Sequence, residues 1–219
     1  MYWKDEGYLL SKINFNENSI IIEAFTLNHG KCSGIVYGGS SKKLKKNFQI
    51  GNKILLNWKS KGENKIGYFS TELIKPISPL FFDDKKRSIC FIAATSILKI
   101  LLPESQNNKK IYLSFERLVE QFSHDDWIKL YIFWELSLIK ELGFEISFLD
   151  KNHINNTIKI NDRYFKIPKL LLKQDSKNFS NIAIREALTF SKNLLMENFI
   201  LPYRLRLPLS RNILEKYYN

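Results

Sequence analysis

The sequence predicts an α+β protein in two parts, a small β-barrel over residues 1–79 followed by an all-α region over residues 80–219. Three observations carry this. The first part contains five segments in which apolar residues alternate with polar ones and β-branched or aromatic side chains dominate. Pro76 and Pro79 then interrupt the chain, and beyond them apolar residues recur at intervals of three and four instead of two. At 219 residues and 44% hydrophobic composition, the chain is long enough to bury a core for both parts.

Strands are expected at 8–15 and 19–27, joined as a hairpin by Asn16-Glu17-Asn18. Asn28-His29-Gly30 turns the chain into a third strand, 31–37, which ends at Gly38-Gly39. A lysine-rich stretch follows, expected as an irregular loop because it comes after the glycine pair. Gly51 opens a fourth strand, 53–59, in which Ile54, Leu56 and Trp58 alternate with more polar neighbours, and a Lys-Gly-Glu-Asn turn leads to a fifth, 66–74. Five short strands with one longer connection between the third and fourth suit a Greek-key barrel of the OB type. An SH3-like barrel or a half-open sheet would carry a similar pattern.

A helix is expected from Asp83-Asp84 to Pro103, with Ile89, Ile92, Ala93, Ile97, Ile100 and Leu101 on one stripe and the acids at its N-terminal end. A second, near 111–122, places Tyr112, Phe115, Val119 and Phe122 on one face. The third opens on Ser123-His-Asp-Asp126, read as a capping box, and runs through Trp127, Leu130, Tyr131, Trp134 and Leu138 to Gly143. Residues 145–177 have weak periodicity and are expected to be irregular, with one short helix. From Ser180 to Leu201 a further helix carries Ile184, Leu188, Leu195 and Phe199, and a last short one is expected over 209–217.

Charge is the clearest functional signal. The formal net charge is +12, distributed as +6 in residues 1–80, −2 in 81–150 and +8 in 151–219. Between positions 42 and 65 stand Lys42, Lys43, Lys45, Lys46, Lys53, Lys59, Lys61 and Lys65 against the single acid Glu63. Such a concentration is a landing place for a polyanion, nucleic acid or an anionic surface, although a lysine-rich composition alone would also leave a solvated basic face. Phe48, Trp58, Tyr68 and Phe69 are the aromatic residues nearest these lysines, and strand alternation turns some of them inward. No apolar run approaches the ~18 residues of a membrane span, and the charged N-terminus lacks a signal peptide's apolar core, so a cytoplasmic protein with no membrane partner is expected. Cys32 and Cys90 are the two cysteines, with no Cys-x-x-Cys spacing, and read as small core residues.

Motifs for covalent chemistry are missing. Gly38-Gly39-Ser40-Ser41-Lys42-Lys43 has the residue types of a phosphate-binding loop without its spacing, and neither His-Glu-x-x-His nor Gly-x-Ser-x-Gly occurs. His29, His124 and His153 are scattered, while Asp83-Asp84 and Asp125-Asp126 stand where acids offset a helix dipole. A non-enzymatic protein without cofactor is expected.

The order of several short motifs resembles the bacterial DNA repair protein RecO family. These are Trp3-Lys-Asp-Glu-Gly-Tyr-Leu-Leu, Asn16-Glu17-Asn18, Phe25-Thr-Leu-Asn-His-Gly30, Val36-Tyr-Gly38 with the basic loop behind it, and Ile50-Gly51-Asn52. Leu101-Leu-Pro-Glu104, Trp134-Glu-Leu-Ser-Leu-Ile-Lys-Glu-Leu-Gly-Phe144 and Leu201-Pro-Tyr-Arg204 follow in the family's order. The resemblance implies an N-terminal OB-fold and a helical domain that bind and anneal single-stranded and double-stranded DNA. It further implies partnership with RecR and the acidic C-terminal tail of single-strand binding protein, help in loading RecA, and a nucleoid-associated location. It assigns DNA contact first to Lys42, Lys43, Lys45 and Lys46, with Lys53, Lys59, Lys61 and Lys65 in the same basic stretch. Gly7, Gly30, Gly38 and Gly51 match its turn positions. Arg204, Arg206 and Arg211 are candidates for the partner's acidic tail. Many members of the family carry a four-cysteine zinc site just after Leu-Gly-Phe; Phe148-Leu-Asp-Lys-Asn-His153 stands there in this chain, so that site is expected to be lost and no metal is expected. The alternative reading is a basic OB-fold protein that binds RNA or the ribosome.

Overall fold

The computed structural model describes residues 1–60, 62, 66–144, 157–160, 163–172 and 179–218, the side chain of Lys43 excepted. Two compact units divide it, Met1–Val119 and Glu120–Asn219. The first holds the strands and also the helices that follow the proline pair, so it continues well past the change of periodicity.

Strands β1 (Tyr2–Asn16), β2 (Ser19–Thr26), β3 (Gly30–Tyr37), β4 (Lys53–Lys59) and β5 (Gly67–Lys75) form a closed barrel in the order β1-β2-β3-β5-β4. The pairs are antiparallel except β3 with β5, which run parallel through Gly34↔Gly67 and Ile35↔Tyr68. This is the Greek-key OB arrangement expected from sequence. β1 is nearly twice the length that its apolar alternation marked out, because its first residues pair with β4, Trp3 opposite Trp58, while its later ones pair with β2. Inside lie Leu9, Ile20, Ile22, Ala24, Val36, Ile54, Leu56 and Phe69. At one end the rings stack: Trp3 lies 4.2 Å from His29 at 9° and 5.5 Å from Trp58 at 12°. Trp58 in turn rests on the backbone of Gly67, where a Cβ would approach its indole to 2.2 Å, so only glycine fits.

Asp5 ties this end together. Its buried carboxylate accepts hydrogen bonds from the backbone N–H groups of Glu6 (2.9 Å) and Asn28 (2.8 Å) and from Asn28 Nδ2 (3.0 Å), and faces His29 Nδ1 at 2.9 Å. Burial pushes its pKa up, but His29 and these donors outweigh burial and leave it below the ordinary carboxylate value.

A single 3-10 turn (Ser78–Phe81) leads to α2 (Lys85–Leu101), and α3 spans Lys109–Gln121. Asp84 caps α2, its Oδ1 accepting from the Arg87 N–H at 2.9 Å. The buried face of α2 differs from the expected stripe: Ala93 and Ile97 belong to it, but so do Cys90, Phe91, Ala94 and Leu98, while Ile92 is exposed. The helix is apolar around most of its circumference, so periodicity alone does not single out the face. On α3, Tyr112, Phe115 and Val119 are buried as expected.

The second unit contains α4 (Trp127–Glu141), a hairpin of β6 (Thr157–Ile160) and β7 (Arg163–Lys166), the short α5 (Lys169–Leu172), α6 (Asn181–Leu195) and α7 (Leu209–Lys216). α6 runs on into a π-helical turn, Met196–Ile200. Trp127, Tyr131, Trp134 and Leu138 are core residues of this unit. The expected capping box does not form, since Asp126 makes no side-chain cap hydrogen bond. The hairpin replaces part of a stretch expected to be irregular; Phe148–His153, where the zinc comparison falls, lies outside the described residues.

Arg211, expected as an exposed contact for an acidic tail, is fully buried. Its Nε and Nη2 donate to Glu135 Oε1 (2.7 Å) and Oε2 (2.9 Å), and Nη2 also donates to Leu188 O (2.6 Å). Ser191 Oγ and the Tyr131 hydroxyl donate to the same carboxylate at 2.5 and 2.8 Å. Burial disfavours the guanidinium charge, but Glu135 more than offsets it, and the pKa of Arg211 is raised. α4, α6 and α7 thus share one internal ion pair, and Arg211 has no charge to offer a partner.

Two outcomes follow for stability. Arg211→Ala leaves Glu135 buried without its partner and is expected to lower unfolding free energy by roughly 3–5 kcal/mol, with Arg211→Met combined with Glu135→Leu recovering a large part, both read by urea denaturation. Because the native pKa of Asp5 is depressed, its contribution is present above the unfolded value near ~3.9 and is lost as pH falls through the lower native one. Asp5→Asn is therefore expected to cost about 1–3 kcal/mol at neutral pH and to flatten the acid limb of a stability–pH profile.

Candidate nucleic-acid interface

The connection from β3 to β4 is built to hold lysines in water. Gly38, at φ +72°, and Gly39 turn the chain out of β3, and Ser41 caps a single helical turn, α1 (Lys42–Lys45), its Oγ accepting from the Leu44 N–H at 3.4 Å. The irregular loop expected here is therefore locally helical. Leu44 packs against the barrel core and Phe48 is buried beneath it, which anchors the turn by its one apolar face. Lys42, Lys45 and Lys46 are exposed on the remaining faces, and Lys43 belongs to the same turn.

Two further contacts fix the end of this connection. Gly51, at φ +84°, lies where a Cβ would approach the Phe91 ring to 2.1 Å, and its N–H donates to Leu9 O at 2.7 Å. Asn52 is fully buried; its Nδ2 donates to Asn47 O at 3.2 Å, and its Oδ1 accepts from the N–H groups of Ile77 and Ser78 at 2.9 and 3.2 Å. The lysines are thus long, solvated side chains on a pinned backbone.

Lys12, which sequence reading did not select, joins them. It stands on the extended end of β1, and its pKa is lowered by partial burial and then by the ammonium group of Lys45. An exposed ammonium group that feels the charge of another marks a surface that gains by meeting an anion. Glu23, which pairs with Ser11 beside it, is engaged by Lys99 Nζ at 2.9 Å and by Ser11; Glu17 is exposed in the β1–β2 turn.

The other selected lysines divide. Lys53 is removed from the set: its Nζ lies 2.9 Å from Glu6 and 2.6 Å from Glu116 and stands 5.8 Å from the Tyr8 ring centroid, so its charge is spent inside the unit. Burial lowers its pKa, but the two carboxylates reverse this and raise it. Lys59 is exposed on the barrel's outer wall, 5.6 Å from the Tyr2 ring centroid. Lys61 and Lys65 lie outside the described residues. In the second unit Arg204, at φ +52°, and Arg206 are exposed. Phe165, Ile167, Pro168 and Phe190 line a cavity of about 630 Å³ together with Lys166, Lys169, Arg185 and Glu186.

No group of three or more His, Cys, Asp or Glu side chains among the described residues could hold a metal, and no described helix is long and apolar enough to cross a membrane. Cys32 and Cys90 are buried free thiols, and burial, with Glu104 and Asp5 beyond it, pushes the Cys32 pKa up to about 12, away from nucleophilic use.

The chain matches the profile "Recombination protein O N terminal" over residues 1–77 and "Recombination protein O C terminal" over residues 83–176. It is 34% identical over 148 residues to the DNA repair protein RecO of Wolbachia pipientis subsp. Culex pipiens, a match that covers 67% of this chain and 60% of that one. The DNA repair protein RecO of Roseobacter denitrificans is 32% identical over 148 residues, covering 67% and 61%, and that of Ehrlichia chaffeensis 33% over 159 residues, covering 72% and 64%. The chain therefore spans less than two thirds of the length of these curated relatives. A closed five-stranded barrel carrying a pinned lysine turn, followed by helices, in a chain that both halves of one family describe, places it in the RecO family.

Proposed function

We propose that this protein is a non-catalytic DNA repair and recombination mediator that holds single-stranded and double-stranded DNA by charge and promotes annealing of complementary strands. The observation that supports this most directly is the α1 cluster: Lys42, Lys45 and Lys46 exposed on one turn, with Lys12, exposed on β1, within electrostatic reach of Lys45. Phosphates neutralise such a cluster and release counterions, so affinity comes without base contacts and without covalent chemistry. A surface that holds two strands loosely along their backbones leaves their bases free to find one another.

The partners proposed are RecR, the acidic tail of single-strand binding protein and, through them, RecA. The cavity lined by Phe165, Ile167, Pro168 and Phe190, with the exposed cations Lys166, Lys169 and Arg185, has the chemistry for an acidic tail that also carries apolar side chains. Arg204 and Arg206 are exposed in the same unit and remain available to such a tail; Arg211 is not.

Changing Lys42, Lys43, Lys45 and Lys46 to Ala is expected to reduce the slope of log K against log salt on a single strand by about 0.7 for each phosphate no longer neutralised, and to slow annealing in proportion. Annealing and slope at the level of the unaltered protein would remove α1 from the mechanism. Competition between DNA and RNA strands of one sequence separates this reading from an RNA-binding one, a strong RNA preference favouring the latter. Changing Lys166, Lys169 and Arg185 to Ala is expected to weaken binding of the acidic tail peptide at least tenfold by fluorescence anisotropy while leaving DNA affinity within about twofold.

A further inference from the structure

The barrel's outer wall carries aromatic rings in a row. Tyr2 on β1 stands opposite Lys59 on β4, and Lys59 stands opposite Tyr68 on β5. The Tyr68 ring centroid is 6.1 Å from that of Tyr37, the last residue of β3, at 54°. Tyr2 and Tyr37 are 61% and 65% exposed, and Tyr68 is half-buried, whereas Phe48 and Phe69 face the core and Trp58 lies within the Trp3 stack. None of the three tyrosines fills the barrel's interior; Tyr2 and Tyr37 present their rings to solvent with an ammonium group among them.

We propose that Tyr2, Lys59, Tyr68 and Tyr37 form a base-stacking platform for an unpaired polynucleotide strand, which runs on from Tyr37 to the lysines of α1. The inference rests on the nucleic-acid reading above and deepens it by separating two jobs on one surface. Lysines grip phosphate in any form, but a ring face is useful only to a base that is not already stacked on both sides, so the platform favours single strands over duplex. Two rings 6.1 Å apart at 54° are too close and too tilted to sandwich a base between them, so each accepts one on its open face. Lys59, beside Tyr2, supplies the charge that meets the phosphate between stacked bases. Chain continuity gives the direction of the path, since only residues 38–41 separate Tyr37 from Lys42 and all of them lie in the turn that presents α1. On β5 the outward acid Glu72 pairs with Leu55, away from Lys59, which bounds the platform on that side.

The test uses the whole chain with labelled oligothymidylate and with a hairpin duplex of equal length, at several salt concentrations. Tyr37→Ala with Tyr68→Ala is expected to weaken single-strand binding roughly five- to a hundredfold for each ring removed, with the salt slope and duplex affinity unchanged. Tyr37→Phe with Tyr68→Phe keeps both ring faces and is expected to bind as the unaltered protein does. Single-strand affinity unchanged in the alanine pair, or an equal loss on duplex, would overturn the platform while leaving the lysine turn in place. A chain that binds neither probe before any substitution removes both readings.

Discussion

The pairing of Gly34 with Gly67, where β3 runs parallel to β5, closes the sheet on itself and so decides which face of every strand meets water. Once closed, the barrel has room inside for one set of alternate side chains, and Leu9, Ile22, Ile54, Leu56 and Phe69 fill it. The other set must face outward whatever its character. Tyr2, Tyr37, Lys59 and Tyr68 stand outside for that reason, and what looks like misplaced apolar surface is the ordinary consequence of a period of two around a closed wall. From the long connection between β3 and β4, Phe48 joins the same core and Leu44 packs against it.

The charge of this protein has to be counted in space, since the line of the sequence misplaces it. Eight lysines between positions 42 and 65 look like one patch when written in order. Folded, Lys53 is an internal counter-ion for Glu6 and Glu116, while Lys12, thirty positions before the cluster, feels the charge of Lys45. The same sorting applies to the arginines near the end of the chain, where Arg204 and Arg206 face water and Arg211 holds Glu135 across a gap of 76 residues. Removing a charge of the first kind changes what the surface attracts, and removing one of the second changes whether the unit holds together.

Much of the architecture is legible from periodicity. β2 to β5 and the helices at 85–101, 109–121 and 181–195 lie within a few residues of where apolar spacing and punctuation put them. The first half of β1 escapes such a reading because Lys4-Asp5-Glu6 breaks the apolar alternation, and Asp5 is buried there only because Asn28 and His29 arrive to satisfy it. The β6–β7 hairpin is four residues on each side, too short for a pattern to rise above its polar surroundings. Of the candidate site, α1 is visible as a run of lysines, but its helical turn depends on Ser41 and on the anchor that Leu44 finds in the barrel. The fates of Lys53 and Arg211 depend on partners 63 and 76 residues away, which no local window contains.

The π-helical turn at Met196–Ile200 sets a limit on how this helix can vary. An ordinary α-helix advances ~100° per residue, and the wider turn takes in one residue more than it would otherwise hold, so the side chains within it are aimed differently from those of an α-turn. From within that turn Phe199 reaches Phe144 at 4.9 Å between ring centroids, and Glu197 meets Arg163 of the hairpin at 2.5 Å. Removing one amino acid from the segment would let it close into an ordinary α-turn: the residues beyond would keep their bearing, while those inside the turn, Glu197 and Phe199 among them, would shift against Arg163 and Phe144.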